Sequence, residues 1–152
     1  MTRLAVLLAA CALPFSGGAA EIARYVITDN RSIDAPLAGQ TGDWQRGRTL
    51  YFDRKRAGCS GCHGSPGGPG AEIVAGNENA PRLARIADRM APGEIRLWIA
   101  APVVIAPGTE MPAYFLAGQR RDAEAPVPNG PRLTAGEIED LVAYLSRQTG
   151  TP

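Results

Sequence analysis

Two thiols and an imidazole stand together near the middle of the chain. Cys59 and Cys62 are separated by two residues, and His63 follows directly. This C-x-x-C-H spacing is typical of covalent heme attachment, in which both thiols add to the vinyl groups of a porphyrin and the imidazole faces the iron. The small residues Ser60 and Gly61 allow the backbone to turn tightly against the ring. The sequence therefore predicts one covalently bound heme c, attached through Cys59 and Cys62.

Three other uses of paired cysteines can be considered, and the remaining sequence favours none of them. A thioredoxin-like redox pair needs a βαβ context, and no segment near Cys59 has the pattern of parallel strands. A zinc site needs two further ligands, but His63 is the only histidine and the third cysteine, Cys11, lies close to the N-terminus. A disulfide across two intervening residues would close a very small loop and contribute little.

The second axial ligand of the iron must be another residue type, because the chain has a single histidine. Met111 lies between prolines in a stiff loop, which suits a thioether held against iron, so we predict axial ligation by His63 and Met111. Met90, Lys55 and an open position are the alternatives. An iron closed on both sides moves single electrons and has no place for substrate.

Pro81 is a candidate partner of the axial histidine. Its carbonyl oxygen could accept a hydrogen bond from the ring nitrogen of His63 that does not face the iron, and so fix the tautomer. The alternative is an ordinary proline at the start of a helix.

The elements that must position these residues are helical. Apolar spacing and capping residues predict helices over residues 43–53, over residues 92–100 and from Thr134 onward, with a weaker helical pattern over residues 83–89. Gly47 inside the first helix indicates that another helix crosses it closely. Three acidic residues begin the last helix, and we expect all three to be solvated: Glu137, Glu139 and Asp140.

The first twenty residues have the pattern of a signal peptide cleaved near Ala20: a positive start, an apolar run and small residues. A lipoprotein site at Cys11 is the alternative. Without Arg3, 15 basic residues balance 15 acidic ones, which argues against nucleic acid and anionic membranes as partners. No other run is long and apolar enough to span a bilayer.

The arrangement resembles a class I cytochrome c over about residues 42–149. The first helix carries Gly47 and Tyr51, the heme motif and the methionine loop follow, and the last helix carries Leu141 and Tyr144. The resemblance implies an all-α fold, with helices packed around one covalently bound heme and an irregular N-terminal arm. The expected division is a signal peptide (1–20), an arm (21–41) that is either mobile or wraps a partner, and a cytochrome domain (42–150).

A narrower resemblance is to the SoxX family of the bacterial sulfur-oxidation system. It is carried by segments along nearly the whole mature chain: Ile33–Gly39, Gly42–Asp43, Arg46–Arg48, Met111–Tyr114 and Leu133–Leu145. Ser60-Gly61 departs from the Leu-Ala pair common in that family, which leaves the heme chemistry unaffected.

The SoxX resemblance implies the monoheme subunit of a periplasmic SoxAX complex, which joins thiosulfate to a cysteine of the carrier protein SoxY. The chain would then be the electron-transfer subunit of an L-cysteine S-thiosulfotransferase. A SoxA-like partner would carry the catalytic heme, and this chain would pass electrons to a downstream cytochrome c. The resemblance assigns heme attachment to Cys59 and Cys62, and iron ligation to His63 and Met111.

Two further hypotheses remain open at this point. One is a free electron shuttle of another respiratory chain, and the other is a heme sensor of small gases with a labile sixth position. Because only 6% of the residues are aromatic, we expect the porphyrin to supply much of the apolar core and the chain without heme to fold poorly.

Overall fold

The computed structural model describes residues 25–67, 76–115 and 132–150, so the predicted signal peptide lies outside the described residues. Within these ranges the chain is helical. The α-helices are α1 (Trp44–Phe52), α2 (Cys59–His63), α3 (Pro92–Ala100), α4 (Pro102–Ile105) and α5 (Ala135–Leu145), with a 3-10 turn at Ile86–Asp88. None of the helices described is long and apolar enough to cross a bilayer.

The ends of the main helices follow from local sequence. The carboxylate of Asp43 accepts hydrogen bonds from two backbone N–H groups in the first turn of α1. Pro92 occupies the first position of α3, where its missing N–H costs nothing. Thr134 and Glu137 form a capping box at the start of α5. The three predicted helices are therefore confirmed.

Helices α1 and α5 cross in direct backbone contact. A Cβ atom placed on Gly47 would overlap the carbonyl group of Asp140, so only glycine permits this approach. Beside the crossing, the rings of Tyr51 and Tyr144 lie 5.4 Å apart between centroids. The close crossing predicted from Gly47 is confirmed.

The core forms where α3 packs across α5 and α5 across α1. Leu97 of α3 and Ile138 and Leu141 of α5 are fully buried, as is Tyr51 of α1. The apolar stripe of α5 is the one that its i, i+3, i+4, i+7 spacing predicts.

The expectation that the acids of α5 are solvated is wrong for two of them. Glu139 is 2% exposed and Asp140 is 7% exposed. Arg96 donates to both carboxylate oxygens of Glu139, at 2.8 and 2.9 Å, and Arg46 donates to both of Asp140, at 2.8 Å each. Helix α5 is covered on several sides, and the buried carboxylates are stabilised because each has an arginine partner.

The N-terminal arm is irregular, as predicted, but part of it is firmly attached to its own domain. Ile33 and Leu37 are buried. Ile33 donates its N–H to the carbonyl of Gly93 at 3.0 Å, and Leu37 donates its N–H to Glu139 at 2.8 Å. A mobile arm does not describe these residues, which cross their own α3 and α5.

One local expectation is corrected. Residues 83–89 do not form a helix: Arg85 adopts φ 55°, outside the helical region, and only the 3-10 turn Ile86–Asp88 follows it. In the N-terminal arm, Thr28 and Ser32 form an isolated antiparallel bridge.

Candidate heme site

The heme motif forms a single helical turn, α2. Because Cys59 and Cys62 are three residues apart in this turn, both thiols lie on the same side of it. Both are free cysteines, Cys59 half-buried and Cys62 exposed. Burial raises the pKa of the Cys59 thiol to about 12, whereas a redox-active cysteine needs a lowered pKa. Cys59 therefore lacks the lowered pKa of a thioredoxin-like nucleophile.

The imidazole of His63 is oriented by a backbone carbonyl. Its Nδ1 lies 2.8 Å from the carbonyl oxygen of Pro81. Since a carbonyl can only accept, Nδ1 carries the proton, and the lone pair of a neutral ring is then on Nε2. A histidine held in this tautomer is a ready ligand for a metal at Nε2.

Two buried tyrosines tie the backbone on either side of α2 to the rest of the domain. Tyr51 of α1 donates its hydroxyl to the carbonyl of Gly64 at 2.8 Å, and Tyr114 donates to the carbonyl of Ala57 at 2.6 Å. Burial raises the pKa of both phenols, that of Tyr114 to about 12, so both remain donors at neutral pH. These bonds hold α2 at its two ends.

Met111 is half-buried in the loop that follows α4. Its N–H donates to the hydroxyl of Thr109 at 3.2 Å. Three residues later, Tyr114 hydrogen bonds to Ala57, two residues before Cys59, so the end of the methionine loop is fixed next to the heme motif. Of the alternative ligands, Met90 packs partly buried against the core, and Lys55 is exposed.

Sequence reasoning missed the tyrosine that makes this link and a glycine near Pro81. Tyr114 appeared only within the Met111–Tyr114 segment of the SoxX resemblance, with no contact assigned to it. Gly76 lies in the sequence five residues before Pro81, and its close contact with α2 has no periodic signature.

The donor set fits a heme c. Two unpaired thiols share one side of a turn, and the adjacent histidine presents Nε2. In the ranges that the structure describes, no three His, Cys, Asp or Glu side chains are grouped to hold a metal ion directly. This arrangement can attach a porphyrin covalently and supply an axial nitrogen.

Comparisons with known proteins agree with this geometry. The family model described as "Cytochrome c" matches residues 44–149. Among solved structures, the crystal structure of SoxXA from P. pantotrophus matches with a TM-score of 0.66 and 26% sequence identity, over 82% of this chain and 94% of that chain. No curated protein matches the sequence.

These matches confirm the all-α class I cytochrome c fold and the resemblance to SoxX. The family model covers most of the chain, from α1 to the residues just after α5. The chain therefore belongs to the cytochrome c family, whose members carry covalently bound heme c and transfer electrons.

Proposed function

We propose that this chain is the monoheme electron-transfer subunit of a periplasmic SoxAX-type complex. The observation that carries the proposal is the match to SoxXA, which spans 94% of the matched chain at 26% identity. The partner would be a SoxA-like heme subunit, and the mature chain would begin after a signal peptide cleaved near Ala20. A free cytochrome c shuttle is the second candidate.

The reaction of such a complex fixes what this chain must do. A carrier cysteine thiol of a SoxY-like protein and thiosulfate form a new sulfur–sulfur bond, which releases one proton and two electrons. The SoxA-like subunit performs this conjugation. This chain takes up the electrons one at a time and delivers them to a downstream cytochrome c.

Four side chains hold the cofactor in this proposal. Cys59 and Cys62 would form thioethers to one heme, and His63 through Nε2 and Met111 through its sulfur would bind the iron. When bound, the heme supplies a one-electron Fe(III)/Fe(II) couple. Support for these roles comes from the free thiols on one side of α2, the Pro81 carbonyl at Nδ1 of His63, and the anchoring of the methionine loop by Tyr114.

The two buried acidic residues of α5 take part in ion pairs. The buried carboxylates of Glu139 and Asp140 are each engaged by an arginine at 2.8 Å. These charge-assisted pairs hold the helices and the N-terminal arm together. In the proposal, bond formation belongs to the SoxA-like subunit.

Co-expression tests the assignment to a complex. The full-length chain is expressed with a tag in cells that mature c-type cytochromes, together with the SoxA-like heme protein of the same organism. We expect equimolar co-purification and reduction of this chain's heme when thiosulfate and the carrier are added. Recovery of a heme-loaded chain that never associates with that subunit, but is reduced by respiratory donors, would support the free shuttle instead.

A further inference from the structure

The loop Gly76–Pro81, here called the Pro81 loop, binds the last two residues of the heme motif with both of its ends. At its start, Asn77 donates its N–H to the carbonyl of Cys62 at 2.6 Å. At its end, the carbonyl of Pro81 lies 2.8 Å from Nδ1 of His63. The position of the Pro81 carbonyl is therefore coupled to the contact that the loop makes at its first residues.

The start of the loop can approach α2 this closely only because residue 76 is glycine. A Cβ atom on Gly76 would lie 2.5 Å from the carbonyl oxygen of Cys62, 2.6 Å from the N atom of Gly64 and 2.7 Å from the carbonyl carbon of His63. All three neighbours are backbone atoms of the α2 turn and its end, which cannot rotate away as a side chain can. Any larger residue at position 76 must push the loop off α2.

The side chain of Asn77 then shapes the loop. Its Oδ1 accepts a hydrogen bond from the N–H of Asn79 at 2.9 Å, and its carbonyl accepts one from the N–H of Ala80 at 3.2 Å. An asparagine that bonds to the backbone two residues later forms a stable turn. This turn brings the chain back toward α2, so that Pro81 meets His63.

We propose that Gly76 and Asn77 are positioning residues that hold the Pro81 carbonyl at Nδ1 of His63 and thereby set the heme's reduction potential. The inference rests on the proposed function, in which His63 ligates the iron. A carbonyl at Nδ1 makes the imidazole a stronger electron donor, which favours the ferric state. Displacing the loop weakens this bond and favours the ferrous state.

The main test is Gly76→Ala in the mature heme-loaded protein. We expect the heme to remain attached, and the ratio of ferrous to ferric protein in a fixed redox buffer to rise, because the imidazole becomes a weaker electron donor. By NMR, the Nδ1 proton of His63 should exchange faster with solvent. Gly136→Ala is the control, because a Cβ at Gly136 has no atom within 4 Å; it should change neither measurement.

Substitutions of Asn77 separate positioning from general stability. Asn77→Ala should shift the redox ratio in the same direction as Gly76→Ala, and Asn77→Ser, which keeps an acceptor oxygen without adding a charge, should restore it toward the parent value. If Gly76→Ala fails to mature, this pair decides the question. A purely structural role would lower Tm while leaving the redox ratio and the Nδ1 proton exchange unchanged, and that result overturns the inference. If the parent chain itself binds no heme, the proposed function fails instead.

Discussion

Arg96 and Glu139 form an ion pair in the interior of the domain, with side chains 4% and 2% exposed and both nitrogen–oxygen contacts shorter than 3 Å. The same two residues hold the N-terminal arm: Arg96 donates to the carbonyl of Ile33, and Glu139 accepts the N–H of Leu37. One buried pair thus joins α3, α5 and the arm. We interpret this pair as fixing the arrangement of the three elements. A buried ion pair by itself is weak evidence of added stability.

Removing one partner of this pair should be strongly destabilising. Glu139→Ala leaves the guanidinium of Arg96 buried without a counter-charge, which typically costs about 3–5 kcal/mol. Denaturant unfolding of the heme-loaded protein measures the loss, and proteolysis should cut the arm near Leu37 sooner. Arg31→Ala is the control, because it removes an exposed pair with Glu94 and should change the free energy of unfolding little. Equal effects of the two variants would contradict a special role for the buried pair.

The crossing of α1 and α5 predicts a contrast between two glycines. Gly47→Ala should lower the free energy of unfolding by about 1–3 kcal/mol or more, because the new methyl group overlaps the backbone of Asp140 and the helices must separate. Gly136→Ala, on the open side of α5, should be neutral or stabilising, since alanine has a higher helix propensity than glycine. Thermal unfolding of both variants checks this. A Tm for Gly47→Ala equal to the parent's would mean that the crossing is looser than described.

The features that were predicted from the sequence are those that depend on residues close together in the chain. The helix start at Asp43 and the helix start at Thr134 are local patterns, and each forms as expected. Apart from the Pro81 carbonyl at His63 and the helix crossing at Gly47, pairings between distant segments were not predicted. Arg96 and Glu139 are 43 residues apart and Tyr114 and Ala57 are 57 apart, and helical periodicity marks apolar stripes without saying which charge meets which. The burial of two acids therefore contradicted a sound local expectation.

Acid should weaken the domain through Asp140. Burial opposes ionisation of this carboxylate, but hydrogen bonds from Arg46 and from the N–H of Asp43 outweigh it and hold the pKa below its usual range. A group whose pKa is lower in the folded state contributes stability above its unfolded pKa of about 4 and loses it as the pH falls through the folded pKa.

We therefore expect the free energy of unfolding of the parent protein to fall more steeply below about pH 4 than that of Asp140→Asn. Urea unfolding from pH 7 to pH 2.5 measures both curves. Asp140→Asn should also be less stable at pH 7, because it gives up the charge-assisted bonds to Arg46. Parallel curves for the two proteins would show that Asp140 does not titrate differently on folding.

The two methionines of the described chain give a direct test of the axial ligand. If Met111 fills the sixth position, Met111→Ala opens it, and the reduced heme-loaded protein should bind carbon monoxide rapidly, with a clear shift in its absorbance bands. Met90→Ala is the matched control: this side chain packs partly buried against the core, so its loss should lower stability while the reduced protein remains unreactive.

The parent protein decides between a relay and a gas sensor in the same experiment. If His63 and Met111 both bind the iron, the reduced parent protein should not react with carbon monoxide. Rapid binding of carbon monoxide by the parent protein would indicate that the sixth position of the iron is open or labile. Reactivity that appears in Met90→Ala and not in Met111→Ala would assign the sixth ligand to Met90. That result would leave attachment through Cys59 and Cys62 intact and change only the residue opposite His63.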